Sequence, residues 1–210
     1  MKKKVVVFAG FILMTLLFTI FRCGCEKYIY DLNSIETSLK CITGTELYVD
    51  TMPDSRYFVL EDIYSQGDTV AIAYDSLAII VKTNYSRLAA YNFYKNLPGI
   101  QSAYAYKPYV YYENITDIII TSNKDYSNQY PAGSNLKKVI SVNSHGYYVY
   151  NVKTIDEMIK DISPSWEAPH LLYTFNTPPE TEDVHEITIR YKTEKNQVFS
   201  AVVKNVKILK

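Results

Sequence analysis

Apolar and polar residues alternate with a period of two along much of the chain, and this pattern constrains the fold more than any other feature. The alternation is clearest near the end, in residues 186–191 and again in residues 199–203. A two-residue period places alternate side chains on one face of a β-strand. The apolar positions resume at Val206 after a one-residue shift, which predicts a β-bulge near Lys204 and Asn205. These residues therefore predict a β-hairpin at the end of the chain.

Further extended segments precede this hairpin. Runs rich in β-branched and aromatic residues predict strands at residues 34–42, 46–49, 57–60, 69–74, 77–82, 115–121, 136–142, 147–152 and 171–175. Residues 86–95 fit either a short helix or an extended loop. The clearest helix is predicted over residues 154–162, where Thr154 and Glu157 have the spacing of a capping box. Many strands, few helices and no β-α-β alternation predict a mostly β chain, folded as an antiparallel, immunoglobulin-like β-sandwich with one or two short helices.

Tyrosine is the compositional outlier, with 21 of the 210 residues. Tyr, Val, Ile and Thr favour the half-buried surface of a pleated sheet. Residues 26–210 are long enough to bury a core without disulfide bonds. We expect them to form a single domain, with two domains as the alternative at this length. Cys41 follows the period-two apolar pattern and is predicted to be a small buried hydrophobic residue rather than a reactive thiol.

The first 25 residues predict where the protein is located. Lysines at positions 2–4 precede an apolar run of 17 residues, and Cys25 follows Gly24. A basic end and an apolar core are typical of an export signal, and glycine before cysteine favours lipoprotein processing at Cys25. Arg22 departs from the usual lipoprotein pattern, and Cys23 is the competing acceptor. The alternatives are ordinary cleavage and a retained anchor helix, since a spanning helix needs about 17–25 residues.

A lipid-anchored protein of the cell envelope, at the outer membrane, is the resulting expectation, with acyl chains on Cys25 holding it at the membrane. The leader holds four basic residues and no acidic ones, so the rest of the chain has 18 Lys and Arg against 22 Asp and Glu, a net charge near −4. This balance offers no basic stripe for phosphate groups and argues against a nucleic-acid partner. The expected partners are the membrane and an envelope protein or glycan.

The sequence contains no recognisable catalytic, metal or cofactor motif. It has no G-x-S-x-G elbow and no phosphate-binding glycine loop, and its three histidines, His145, His170 and His185, are scattered and predicted to lie at the surface or in loops. A cluster of acidic residues at 180–186 predicts a solvated loop, with weak calcium binding as the alternative. We therefore predict a non-catalytic binding or scaffolding module without catalytic residues, metal or cofactor. A small hydrolase with paired carboxylates is the alternative from another class.

An aromatic stretch is the candidate ligand surface. It contains Tyr104, Tyr106, Tyr109, Tyr111 and Tyr112 within nine residues. Tyrosine combines a flat apolar face with a hydroxyl group, which suits stacking against a sugar ring or contact with a protein. Trp166 is a candidate second platform. The other interpretation, which we favour for both, is that these aromatic side chains pack the sandwich.

The leader ending at Cys25, the segments at residues 26–28 and 68–70, the Tyr-Pro-Ala-Gly loop at residues 130–133 and the final hairpin resemble a family of small uncharacterised lipoproteins from gut Bacteroidetes. The resemblance covers nearly the whole chain. It implies an envelope location and a β-sandwich fold, and it implies no particular activity.

Three short Asp-Ser/Thr-apolar patterns are similar to sites of O-glycosylation in those bacteria. They contain Thr51, Thr69 and Ser76. Thr51 is expected in an exposed loop, next to Pro53. Thr69 and Ser76 are expected in buried strands, which weighs against their modification.

Overall fold

A computed structural model describes residues 27–47, 56–63, 67–91, 109–112, 114–143, 152–161 and 170–210. The chain divides into two compact units. The larger comprises Asp31–Ser86 and Tyr112–Lys210, and most of the other lies outside the described residues. The leader also lies outside them, so the predicted boundary after Cys25 stays a prediction.

The described residues are mostly β, in two sheets with one short helix, as the alternation predicted. Eleven strands run over β1 Lys27–Leu47, β2 Arg56–Asp62, β3 Val70–Ala73, β4 Leu77–Tyr91, β5 Tyr109–Tyr112, β6 Ile115–Ser122, β7 Ile140–Asn143, β8 Lys153–Thr154, β9 Leu171–Phe175, β10 Val184–Thr193 and β11 Val198–Leu209, and the helix α1 runs over Ile155–Asp161.

The larger sheet has the strand order β2-β1-β4-β9-β7-β8, and β5 pairs with β1. The smaller sheet has the order β3-β11-β10-β6. Antiparallel pairing joins β1 to β2, β4 and β7 to β9, and β10 to both its neighbours. The edge strand β3 differs, because it runs parallel to β11 with Val70 beside Val206. A mostly β architecture of two sheets is confirmed, and the immunoglobulin-like topology stays a prediction.

Three segments differ from their predicted structure. The strands predicted separately at residues 34–42 and 46–49 both belong to β1, which runs without a break over Lys27–Leu47. Residues 86–91, for which a helix or a loop was expected, continue the strand β4. Pairing within a sheet can override the weak local preference of such residues. The strand predicted from residue 136 begins only at Ile140, because Leu136 and Val139 close a turn in which the Val139 N–H donates to the Leu136 carbonyl at 3.0 Å.

The predicted bulge in the terminal hairpin is confirmed. Ile187 lies opposite Val203 and His185 lies opposite Val206, so β11 has one more residue than β10 between these pairs. Asn205 takes up the extra length with a φ of 57°. Asparagine tolerates this left-handed conformation better than most residues.

The predicted capping box of α1 is also confirmed. The Glu157 N–H donates to Thr154 Oγ1 at 3.3 Å, and the Glu157 carboxylate accepts the Thr154 N–H at 2.9 Å. These hydrogen bonds lower the pKa of Glu157. Lys137 then ties the helix to β6, since its ammonium group lies 2.7 Å from Asp156 and 2.9 Å from Asp117.

The main core lies between the two sheets. It joins apolar residues of the larger sheet, such as Ile79 and Tyr173, to Ile120, Ile189 and Tyr191 of the smaller sheet. Cys41 packs against this core, on the face that the alternation predicted, but it is partly buried rather than buried. A second, smaller cluster lies on the other face of the larger sheet and contains Ala78, Ile80 and Leu172, with Ile42, Phe58 and Leu60 at its margin.

A pair of tyrosine hydroxyl groups connects the sheets inside the core. Tyr173 of β9 and Tyr191 of β10 are fully buried, and their hydroxyl oxygens lie 2.6 Å apart. Burial raises the pKa of both side chains, so both are neutral at physiological pH. Each hydroxyl group therefore makes with the other the hydrogen bond that it would make with water in the unfolded chain.

Removing both of these hydroxyl groups should destabilise the protein by less than the sum of the two single removals. Tyr173→Phe or Tyr191→Phe leaves the remaining hydroxyl buried without its partner, which costs about 1–3 kcal/mol. We expect the double variant to lose less than the sum of the single losses, by about 1 kcal/mol or more. Denaturant unfolding of all four proteins measures this coupling, and strictly additive losses would contradict it.

Candidate functional site

Most of the side chains predicted to carry function lie in the parts of the chain that are not described. Cys25, Thr51, Tyr104, Tyr106 and Trp166 are outside the described residues. Tyr109, Tyr111 and Tyr112 belong to β5, which pairs with β1. Their predicted roles stay predictions.

Thr69 and Ser76 do not lie in buried strands, and that expectation was wrong. Thr69 is exposed and immediately precedes β3, just after Gly67 turns the chain with a φ of 96°. Ser76 is half-buried in the tight turn from β3 to β4, which closes when its N–H donates to the Ala73 carbonyl at 3.1 Å. The apolar run is interrupted here because β3 and β4 belong to different sheets. Burial therefore gives no argument against modification of Thr69.

Tyrosine packs in or against the core at six of the seven positions where its side chain is described, and Tyr57 is the exception. Tyr126, Tyr173 and Tyr191 are buried, and Tyr57, Tyr74, Tyr85 and Tyr130 are partly buried. Tyr126 stacks on Phe175 with ring centroids 5.6 Å apart, and its hydroxyl donates to the Thr177 carbonyl at 2.5 Å. The three buried tyrosines, Tyr126, Tyr173 and Tyr191, each join an apolar ring to a hydrogen-bonded hydroxyl group, as buried tyrosines usually do.

The polar cluster that most resembles a catalytic arrangement joins β6 to β10. Ser122 Oγ lies 2.8 Å from His185 Nδ1, and it also accepts the Lys124 N–H at 3.1 Å. His185 was predicted to lie at the surface or in a loop, but it is fully buried in β10. Its burial follows from the alternation, because His185 is two residues before Ile187 and shares its face. The same pattern in the sequence therefore contained the signal for this position.

The surroundings of His185 favour the neutral imidazole. Burial lowers the pKa of His185; the nearby Asp183 carboxylate opposes this effect, and Lys124 adds to it. The ring lies beside Tyr126, with centroids 6.1 Å apart. Nε2 has no hydrogen-bond partner among the described residues. A proton added to this buried ring would carry a charge that the surroundings compensate poorly.

The Ser122–His185 contact does not have the accessibility of a nucleophilic site. Serine hydrolases place a serine hydroxyl group beside a histidine so that the serine can attack a substrate. Here Ser122 is 4% exposed and His185 is fully buried, so a substrate does not reach the hydroxyl oxygen in this conformation. The contact instead holds the end of β6 against the start of β10.

The acidic residues of the predicted solvated loop bind separate backbone groups. Glu180 accepts the Asn128 N–H at 2.9 Å, and Glu182 accepts the N–H of the last residue, Lys210, at 3.2 Å. Asp183 accepts the N–H of the next residue at 2.7 Å. Across the described residues, no group of three or more His, Cys, Asp or Glu side chains is arranged to hold a metal ion. These carboxylates therefore anchor loops at this end of the sheets.

No protein-family model matches this chain, and no curated protein or solved structure matches it either. No helix in the described part of the chain is long and apolar enough to cross a membrane.

Acid should destabilise the protein through His185. Between the pKa of an unfolded histidine, about 6.5, and the lower pKa in the fold, only the unfolded chain takes up a proton. We therefore expect the free energy of unfolding to fall as the pH drops below 6.5, by at most about 1.4 kcal/mol per pH unit from this group. Urea unfolding at pH 7.5, 6.0 and 5.0 measures the slope.

His185→Gln should make this slope shallower, because glutamine does not titrate. His170→Gln is the matched control, since His170 is exposed, and it should keep the wild-type slope. Equal slopes for wild type and His185→Gln would show that His185 does not cause the acid sensitivity.

Proposed function

We propose that this protein is a lipoprotein of the cell envelope that acts as a non-catalytic binding or scaffolding module. The single observation that carries the proposal is the leader, in which a basic end and an apolar run precede Gly24 and Cys25. Acylation of Cys25 would hold the protein at the outer membrane. Several acyl chains give firm attachment, because each buried CH₂ adds about 0.8 kcal/mol.

The contacts of the described polar residues support a binding role over a chemical one. The Ser122–His185 pair is buried, and the carboxylates of Glu180 and Glu182 accept backbone N–H groups. Buried or backbone-bound groups stiffen a fold but do not meet a substrate. A two-sheet body of this kind suits a platform whose partners bind at its surface or loops.

Intact mass of the membrane-extracted protein tests the location. We expect the wild-type protein to have lost residues 1–24 and to carry acyl chains, and Cys25→Ser to carry none. Cys23→Ser is the matched control and should be processed like wild type, because residue 23 belongs to the removed leader. An uncleaved or unlipidated wild-type protein would overturn the proposal and favour an anchor helix or an ordinary signal.

Glycan binding is the second candidate for the molecular role. Tyr109, Tyr111 and Tyr112 of the aromatic stretch lie in an extended strand, β5. An extended backbone presents alternate residues on one face, so residues 109 and 111 share a face of the strand. Tyr104 and Tyr106 belong to the same aromatic stretch of the sequence, and Trp166 is the candidate second platform.

Replacing Tyr109 and Tyr111 by alanine tests this candidate. We expect retention on an immobilised envelope polysaccharide to fall about tenfold or more, as for aromatic residues at the centre of an interface. The melting temperature should change little. A large fall in melting temperature would instead identify these tyrosines as core residues and remove the support for glycan binding.

A further inference from the structure

The edge strand β2 is built like a pairing surface. It forms one end of the larger sheet and pairs with β1 over seven positions, from Arg56 opposite Leu47 to Asp62 opposite Lys40. Within the described residues, no strand pairs with its other edge. β2 contains no proline, and its charged residues, Arg56, Glu61 and Asp62, lie at its two ends. Its central residues 57–60 therefore include neither of the residue types, proline and charged residues, that protect an edge strand from pairing with another chain.

A strip of apolar side chains crosses the larger sheet and ends at β2, where its side chains are only partly buried. On one face of the larger sheet, the buried Leu172 and Ile80 continue through Ile42 to Phe58 and Leu60 of β2. Leu172 is fully buried, whereas Phe58 and Leu60 are only half-buried. The strip would be better covered if another strand continued the sheet beyond β2.

We propose that β2 pairs antiparallel with β2 of a second copy of this chain, about a two-fold axis at Val59. The two larger sheets would then form one continuous sheet. The contact is isologous, because the same strand contributes both sides, and it joins the chains by strand addition. This inference does not depend on the leader or on the proposed function.

The register follows from the sequence of the strand. Side chains directly opposite each other in an antiparallel pair lie on the same face of the sheet. When the two strands are identical, this holds only if the two-fold axis passes through a residue of β2, which then lies opposite its own copy. An axis at Val59 places Arg56 opposite Asp62 at both ends and Phe58 opposite Leu60 on the same face. An axis at Phe58 would instead place Arg56 opposite Leu60, and an axis at Leu60 would place Phe58 opposite Asp62. Of these three axes, only the one at Val59 places oppositely charged side chains opposite each other and also places apolar side chains opposite each other.

The charged ends are available for this contact. Asp62 already forms an ion pair with Lys40 of β1, yet its side chain is 49% exposed, and a carboxylate can accept hydrogen bonds from two cations. Arg56 is exposed. Arginine is well suited to this role because its planar donors match a carboxylate. Because each copy contributes one strand, we expect a small interface and a concentration-dependent dimer.

Charge reversal on each side tests the proposal. In Arg56→Asp, both ends of the dimer pair two acidic residues, and in Asp62→Arg both ends pair two basic residues. Each variant alone should associate at least about tenfold more weakly than wild type, because like charges directly opposite repel. An equal mixture restores opposite charges at both ends and should recover wild-type association. Arg190→Asp, on the exposed side of β10, is the control and should leave association unchanged.

Sedimentation velocity of the full chain in nonionic detergent, over a range of protein concentrations, measures these associations. Recovery in the mixture also shows that both variants are folded. A wild-type protein that stays monomeric at every concentration would overturn the proposal. So would charge variants that associate like wild type, or a mixture that does not recover.

Disulfide trapping tests the register independently. In a background with Cys23, Cys25 and Cys41 all replaced by serine, Val59→Cys should cross-link two copies under mild oxidation, because opposed residues at the axis have Cα atoms about 4.5–5.5 Å apart. Glu61→Cys is the matched control. Residue 61 lies two residues from the axis, so its two copies are offset by four residues along the strands. At about 3.3 Å per residue this offset is about 13 Å, and the variant should not cross-link. Equal cross-linking of the two variants would overturn the axis at Val59.

Discussion

The packing of β9 against β10 is the constraint on which the rest of the larger unit depends. β9 lies between β4 and β7 in one sheet, and β10 lies between β11 and β6 in the other. Facing sheets lie about 10 Å apart, a gap that large side chains fill from both sides. Tyr173 and Tyr191 meet there through their hydroxyl groups. Because a buried hydroxyl group needs a partner, this contact sets the position of one central strand against the other.

Polar contacts at the ends of the sheets extend this arrangement to the loops. Tyr126 reaches the carbonyl of Thr177, and Ser122 binds His185 where β6 ends and β10 begins. Lys137 joins the helix to β6 through two carboxylates. Each of these polar groups connects segments far apart in the chain. These polar side chains therefore stabilise the arrangement of the strands, the helix and the loops.

Alternation in the sequence was sufficient to predict β10, β11 and the bulge between them, because a half-buried strand must repeat with the pleat. The capping box at Thr154 was equally local. The prediction failed where contacts distant in sequence decided the outcome. Residues 86–91 extend β4 although their composition also suits a helix, and Thr69 and Ser76 lie in connections between two sheets rather than inside strands. The candidate site was less predictable, because its residues meet only after the sheets pack.

The sequence by itself determined the fold class, the strand faces and the helix cap, since these depend on side-chain periodicity and on neighbours a few residues apart. It also contained the basic and apolar leader from which the envelope location is inferred. The tertiary structure alone decided which strands share a sheet and that β3 runs parallel to β11. It also decided that Ser122 lies beside His185 and that β2 stands at an edge. Strand order depends on the packing of distant segments around a common core, and no local pattern encodes that choice.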